Sequence, residues 1–263
     1  MKCVIMALVA LLALASCKRP VAETILVAGS TTMQGYLQPV VEEFHKDNPN
    51  VDVVIESGGA SAGVIALKRL AIDVAMLTRD VTSAEDDLEL RNYLVARDGI
   101  AIFVHPSNPV RNLTMAQLAH IYSGATTNWN TLGGNDAPIV ALLREPEARA
   151  QKSLRDMVLG GDEPAKSKHV TGSQGMMDAV KGDPNAIGFI SSHHVTPEMK
   201  LITVNGVEMS RHTVVSGRYP LARSFYIAVF GPAPPPAAER FVEYVLSKKG
   251  QAALEKEGLI VVF

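Results

Sequence analysis

Only two cysteines occur among the 263 residues, and both fall within the first 17. Neither can staple the body of the chain, so the fold must be held by its core, and a chain of this size can bury enough for one large or two modest lobes. Charge of one sign is also missing: 25 Lys and Arg stand against 27 Asp and Glu, which argues against nucleic acid as a partner. After residue 17 no apolar run is long enough to cross a membrane. There is no internal repeat and no extended low-complexity segment. The one tryptophan, Trp129, sits in the turn-rich SGATTNWNTLGGNDAP and reads as a packing plug. No nucleophile–histidine–carboxylate order stands out, so an enzyme is not expected. His193 and His194 invite a metal, with His169 or His212 as further ligands, but neighbours on a strand point to opposite faces and rarely share one ion. No metal and no cofactor are therefore expected. The ten methionines read as core filler.

The first residues carry a clear signal. A short basic start precedes an apolar run over residues 4–14, and Leu14-Ala15-Ser16-Cys17 closes it before Lys18-Arg19-Pro20 breaks the pattern. The run is too short to span a bilayer stably and reads as a signal peptide over residues 1–16. Leu-Ala-Ser-Cys resembles the bacterial lipoprotein cleavage box, whose cysteine is lipid-modified. Cys17 is then a membrane anchor, residues 17–22 are a tether, and the chain is exported to the periplasm or the cell surface.

From residue 23 strand-like and helix-like segments alternate. Residues 24–28 read as a strand, 33–46 as a helix with Tyr36, Leu37, Val40, Val41 and Phe44 at helical spacing, and 51–55 as a second strand. A small-residue loop over 57–63 leads to a short helix, then to a strand over 74–77. An apolar strand is expected over 99–105, a helix from a Thr114 cap to Tyr122, and a strand over 139–143 ending at Arg144. Later expectations are a helix over 151–159, a second over 176–180 capped by Ser173, strands over 186–190 and 219–230, and one closing helix over 238–257. This alternation argues for parallel α/β construction, with ligands at the carboxyl ends of the strands. Gly29-Ser30-Thr31-Thr32 falls at such an end. Its hydroxyls and free N–H groups suit a helix cap, and the same donors suit an anion.

Taken together, AGSTTM, SGGASAG, DVAMLTRDVTSAE, RDGIAIFVHPSNPVRNLTMAQLAHIYSGATTNWNTLGG, GSQGMMDAVKGDPNAIGFIS, YPLAR and FVEYVLSKKGQAALEKEGLI resemble, in order and nearly end to end, the phosphate-binding proteins of bacterial ABC transporters. The resemblance implies a two-lobed periplasmic-binding-protein fold of type II, α/β in each lobe, with the ligand cleft between them. Residues 23–102 with 220–263 would form one lobe and 103–219 the other, hinged near Phe103 and Tyr219. It implies capture of inorganic phosphate or a related oxyanion by a monomer that delivers it to an ABC permease. Ser30, Thr31, Thr32 and Ser61 would supply hydroxyl and backbone donors, with Thr78, Arg79, Arg144 and Arg149 beside them. Asp98, or else Asp80, would accept the proton that hydrogen phosphate carries and sulfate lacks.

Two departures bear on the ligand. Where the family reads Ser-Gly-Thr before a second-lobe helix, this chain has Ala148-Arg149-Ala150, and Ala60 replaces a serine of the second loop. Each charge-assisted hydrogen bond lost in this way is worth roughly 1.5–3 kcal/mol. Arg149 can recover part of this by bidentate contact, or be neutralised by Glu147. A sensor or interaction protein with altered specificity is the alternative reading, and an enzyme acting on phosphate esters is a third.

Overall fold

The computed structural model describes residues 23–86 and 88–262; the expected leader, tether and Cys17 anchor lie outside them. The chain opens with β1 (Glu23–Gly29), α1 (Thr31–Asp47), β2 (Val51–Ser57), α2 (Ala60–Lys68) and β3 (Val74–Leu77), the alternation that the apolar periodicity predicts. It continues with β4 (Leu90–Val104), β5 (Asn112–Leu113) and α3 (Met115–Tyr122). Then come β6 (Val140–Ala141), β7 (Leu143–Arg144), α4 (Arg149–Val158), β8 (His169–Val170), α5 (Gly172–Gly182) and β9 (Ala186–Ser191). The last part is β10 (Lys200–Leu201), β11 (Thr203–Val204), α6 (Arg211–Val215), β12 (Ala222–Phe230), α7 (Pro236–Leu246), α8 (Lys248–Lys256) and β13 (Ile260–Val261).

One mixed sheet runs β2-β1-β3-β12-β4-β9-β6, with β10 and β13 also pairing with β4. β1 is parallel to both β2 and β3, so the helices that follow these strands begin at one edge of the sheet. β12 is antiparallel to β3 and β4, and β4 is antiparallel to β9. Residues 90–99 of β4 pair with β12, whereas residues 100–104 pair with β9. The core changes at the same place. Val95 and Ala96 pack with Ile25, Leu37, Phe44 and Phe241, while Ile100 to Val104 pack with Leu118, Trp129, Leu154 and Phe189. On β12 the change falls between Leu221 and Phe225.

Several elements differ from the sequence-based expectation for identifiable reasons. β4 begins nine residues before Gly99, because its charged first half, rich in Arg and Asn, is held by β12 and not by its own apolar pattern. The strand expected over 139–143 is two strands in different sheets: Leu142 N donates to Ile187 O, and the next residue, Leu143, donates to Lys168 O. Thr171, not Ser173, occupies the N-cap of α5. The closing helix is broken at Ser247, whose Oγ accepts from Gly250 N at 3.3 Å and so starts α8 afresh. A Cβ on Gly250 would lie 2.1 Å from Tyr244 O, so only glycine lets the two helices meet. The α3 expectation is met in full: Thr114 and Gln117 form a capping box.

Trp129 fills the second core at 1% exposure and donates its indole N–H to Asn185 O at 2.9 Å. Trp129→Ala is expected to cost about 3–5 kcal/mol, read as a fall in the urea midpoint with the slope unchanged.

Candidate anion site

The first predicted cluster is built at the end of β1. Gly29 adopts φ +140°, and a Cβ there would lie 2.3 Å from Met76 O, so the β1–α1 turn requires glycine. Ser30 N donates to that same Met76 carbonyl at 2.9 Å, which holds the turn against β3. Ser30 is buried and caps α1, its Oγ accepting from Met33 N at 3.4 Å. Thr31 is exposed and Thr32 half-buried, both in the first helical turn, where backbone N–H groups lack intrahelical acceptors. α2 begins beside it: Gly58 N and Gly59 N both donate to Gly29 O, and the Gly59 cap has no side-chain bond. Its first-turn donors, Ser61 among them, are therefore left without a capping oxygen.

Arg79 and Ser61 are brought together, for Nη2 of Arg79 donates to Ser61 Oγ at 2.8 Å. The same guanidinium makes a bidentate pair with Glu85, at 2.7 and 2.8 Å. That pair, with help from the Thr82 N–H, holds the Glu85 carboxyl down at about 2. Arg79 thus closes the loop after β3 onto Glu85. Thr78 is half-buried next to it, and the Asp80 carboxylate accepts from Asn92 and Val81 N.

The second cluster surrounds Arg144 at the end of β7. Arg144 is 9% exposed, and its Nε donates to Glu145 Oε2 at 2.9 Å. Glu145 Oε1 accepts from Gly172 N at the start of α5, and Arg144 Nη1 reaches Ser173 Oγ at 3.4 Å. The backbone N–H groups of Glu145 itself and of Gly172, then Arg144, hold the Glu145 carboxyl at about 2. Glu145 fixes one edge of the guanidinium; among the described residues Nη2 has no hydrogen-bond partner. Ser173 and Glu145 were not among the expected site residues. Glu145 is the next residue after Arg144, whereas Ser173, inside a matched motif, is brought to it by the register of β7 with β8.

Asp98, on β4, faces Arg223 across the β4–β12 register and is 3% exposed. Its Oδ2 accepts from Tyr36 Oη at 3.3 Å and from Arg223 Nη2 at 3.5 Å. Burial pushes the Asp98 carboxyl up, against the pull of Arg223, and burial likewise keeps the Tyr36 phenol protonated as a donor. Arg223 also donates to Ser153 Oγ of α4 and lies 3.7 Å from Asp156. Sequence reasoning missed Arg223, although a lone arginine at the start of an apolar strand signals a buried carboxylate partner.

Arg149 departs furthest from its expected role. It opens α4, whose Ala148 cap makes no side-chain bond, and its guanidinium leaves its own core altogether. Nη2 donates to Gly35 O at 3.2 Å and to the Glu257 carboxylate at 3.1 Å, and Nη1 donates to Glu257 O at 3.3 Å. Its plane lies over the Tyr36 ring, 4.4 Å from the centroid. Glu257, not Glu147, is its counter-ion. Gly35 and Tyr36 stand one helical turn, about 5.4 Å, along α1 from Thr31 and Thr32. Arg149, the first residue of α4, thereby reaches Gly35 and Tyr36 of α1, which belongs to the other core.

His193 and His194 lie on a tight 3-10 turn, not a strand, with ring centroids 3.9 Å apart. His169 is turned elsewhere, with Nδ1 2.9 Å from Arg144 O. Among the described residues, no three His, Cys, Asp or Glu side chains are grouped to hold a metal.

Two α/β cores sharing a strand pair, with helix N-termini and an arginine at their junction, define a two-lobed binding-protein fold. The sequence model of the PBP superfamily domain matches residues 15–249, and the chain belongs to that superfamily. Within it the chain resembles phosphate-binding proteins of ABC transporters. It is 26% identical to the phosphate-binding protein PstS of Borreliella burgdorferi, over 93% of this chain and 92% of that one. An ABC-type phosphate transport receptor from Vibrio cholerae is 28% identical with a TM-score of 0.76, over 91% of this chain and all of that one. A candidate phosphate ABC transporter substrate-binding protein from Clostridium perfringens, solved with bound phosphate, is 32% identical with a TM-score of 0.57, over 92% of this chain and all of that one.

The depressed Glu85 carboxyl has a pH consequence. Its folded value lies below the ordinary 4.5, so the pair stabilises the fold above that pH and the contribution is lost as pH falls toward 2. Glu85→Gln is expected to lower the urea midpoint at about pH 5, with the gap to the parent protein narrowing by about pH 2.

Proposed function

We propose that this chain binds inorganic phosphate between its two lobes and delivers it to an ABC-type import permease. The observation that carries this reading is Arg144, buried at the end of β7 and held by Glu145, with an Nη2 that has no hydrogen-bond partner among the described residues. The first-turn N–H groups of α1 and α2 that no side chain caps add donors and a positive helix end that suit an anion. The names of the similar proteins support phosphate as that anion. In this reading Thr31, Thr32 and the first turns of α2 and α4 offer donors, with Ser30 shaping the turn and Thr78 alongside. Arg144 supplies the guanidinium, held by Glu145 and accompanied by Ser173. Arg79 orients the Ser61 loop in place of touching the anion. Asp98 remains the proposed acceptor of the hydrogen phosphate proton, positioned by Tyr36 and Arg223.

The lobes divide, in this proposal, where the two cores meet, at residues 97–99 and 222–224, a few positions from the 102/103 and 219/220 boundaries suggested by sequence. The reading assigns the chain a receptor's role and no catalysis. Export with a lipid on Cys17 follows from the Leu-Ala-Ser-Cys box; among the described residues no helix is long and apolar enough to cross a membrane. Mass spectrometry of the membrane fraction is expected to show a lipid-modified N-terminal Cys17, absent in Cys17→Ser.

Calorimetric titration of phosphate and sulfate after stripping bound ligand is the direct test. Phosphate binding weakened about 10–100-fold by Arg144→Ala, with sulfate bound weakly or not at all, is the expected result. Folded protein that binds neither anion would favour the sensor reading, for which Ala148-Arg149-Ala150 and Ala60 already remove donors.

A further inference from the structure

Arg149 is the one residue at the candidate site whose side chain is committed to the opposite lobe at every polar atom that the structure pairs. Its own helix is anchored by Ala150, Leu154 and Val158 in the core shared with Trp129 and Phe189. Its partners belong to the other lobe: Gly35 and Tyr36 on α1, and Glu257 directly after α8. Tyr36 packs in the core with Phe225 and Phe44, and Leu254 of α8 lies in the same core. One guanidinium therefore spans the junction with a charge-assisted pair, two carbonyl contacts and a ring face, and every partner is held by a packed element. A glycine at this position, which the family pattern has, could make none of these contacts.

We infer that Arg149 is an intramolecular latch: it holds the two lobes closed without an anion, so that closure in this protein is set in part by its own side chain and not by the ligand alone. A lobe-spanning cation of this kind shifts the open–closed balance before any ligand arrives. The neutralisation of Arg149 by Glu257 also explains why the guanidinium does not stand in for the missing Ser-Gly-Thr donors. The inference rests on the division into two cores and not on which anion the cleft takes.

The test measures lobe separation directly, by pulsed electron resonance between spin labels on the full chain. Both native cysteines are replaced by serine, and labels are placed at Glu42→Cys on α1 and Lys181→Cys on α5, both exposed. Without anion, the parent protein is expected to give one short distance that excess phosphate leaves unchanged. Arg149→Ala is expected to lengthen the anion-free distance by about 5 Å or more, the scale of hinge opening, with Glu257→Gln lengthening it by less. Arg149→Lys, which keeps the charge and loses the fork, is expected to fall between the two. An anion-free distance in Arg149→Ala equal to that of the parent, with far-UV circular dichroism showing both folded, overturns the latch. So does a parent protein that phosphate closes as far as it closes the variant. A longer distance in the variant with no response to phosphate in either protein upholds the latch and counts against phosphate as the ligand.

Discussion

β4 is the constraint on which the rest depends. A single strand of 15 residues gives its first part to β12 and its last part to β9, and each part is buried in a different core. It is paired with a neighbouring strand on both sides of the change of core, so the two lobes are joined by a ladder and not by a slack linker. The neighbouring strand β12 makes the same crossing in the opposite direction, with a bulge at Phe225/Tyr226 that adds local twist. Two strands crossing side by side restrict relative motion of the lobes to bending about that pair, which suits a hinge.

The polar groups buried at the crossing follow from this. Asp98 and Arg223 stand opposite one another on the two crossing strands, and each reaches a different lobe through a further partner, Tyr36 on α1 and Ser153 on α4. A buried ion pair adds little net stability, but removing one member leaves an unpaired charge. Such a pair therefore specifies how the lobes sit at the crossing more than how tightly they fold. Tyr36 is the common element: its hydroxyl engages Asp98 and its ring lies beneath Arg149. The crossing and the latch touch through one side chain.

Beside Asp98 with Arg223, three further charged pairs at the site have different consequences because their surroundings differ. Arg79 with Glu85 and Arg144 with Glu145 join residues within one lobe, so each organises a loop. Arg149 with Glu257 joins the lobes, so it bears on closure. The chemistry is the same in all three, and the topology decides what the pair does. The proposed anion site depends on this sorting, since of the arginines in these three pairs Arg144 is the one whose Nη2 has no hydrogen-bond partner among the described residues.

Local pattern was enough for elements whose residues carry their own reason to fold. The Thr114 capping box before α3 is satisfied by neighbours in sequence, and the helical spacing in α1, the apolar end of β4 and the glycine after β1 are patterns legible along the chain. The motifs in order also made the family legible, together with Ser30, Thr31, Thr32 and Arg144 as candidates. What the chain could not show alone were pairings across large separations. The charged half of β4 becomes a strand only because β12 lies beside it, 125 positions on at Asp98 and Arg223. Ser247 divides the closing helix because Tyr244 and Gly250 must approach closely. Arg149 meets Glu257 only after α8 has folded back onto α1, 108 positions away. Periodicity and capping are short-range forces and can be read along the chain; ion-pair choice and strand partnership are long-range, and only the tertiary structure decides them.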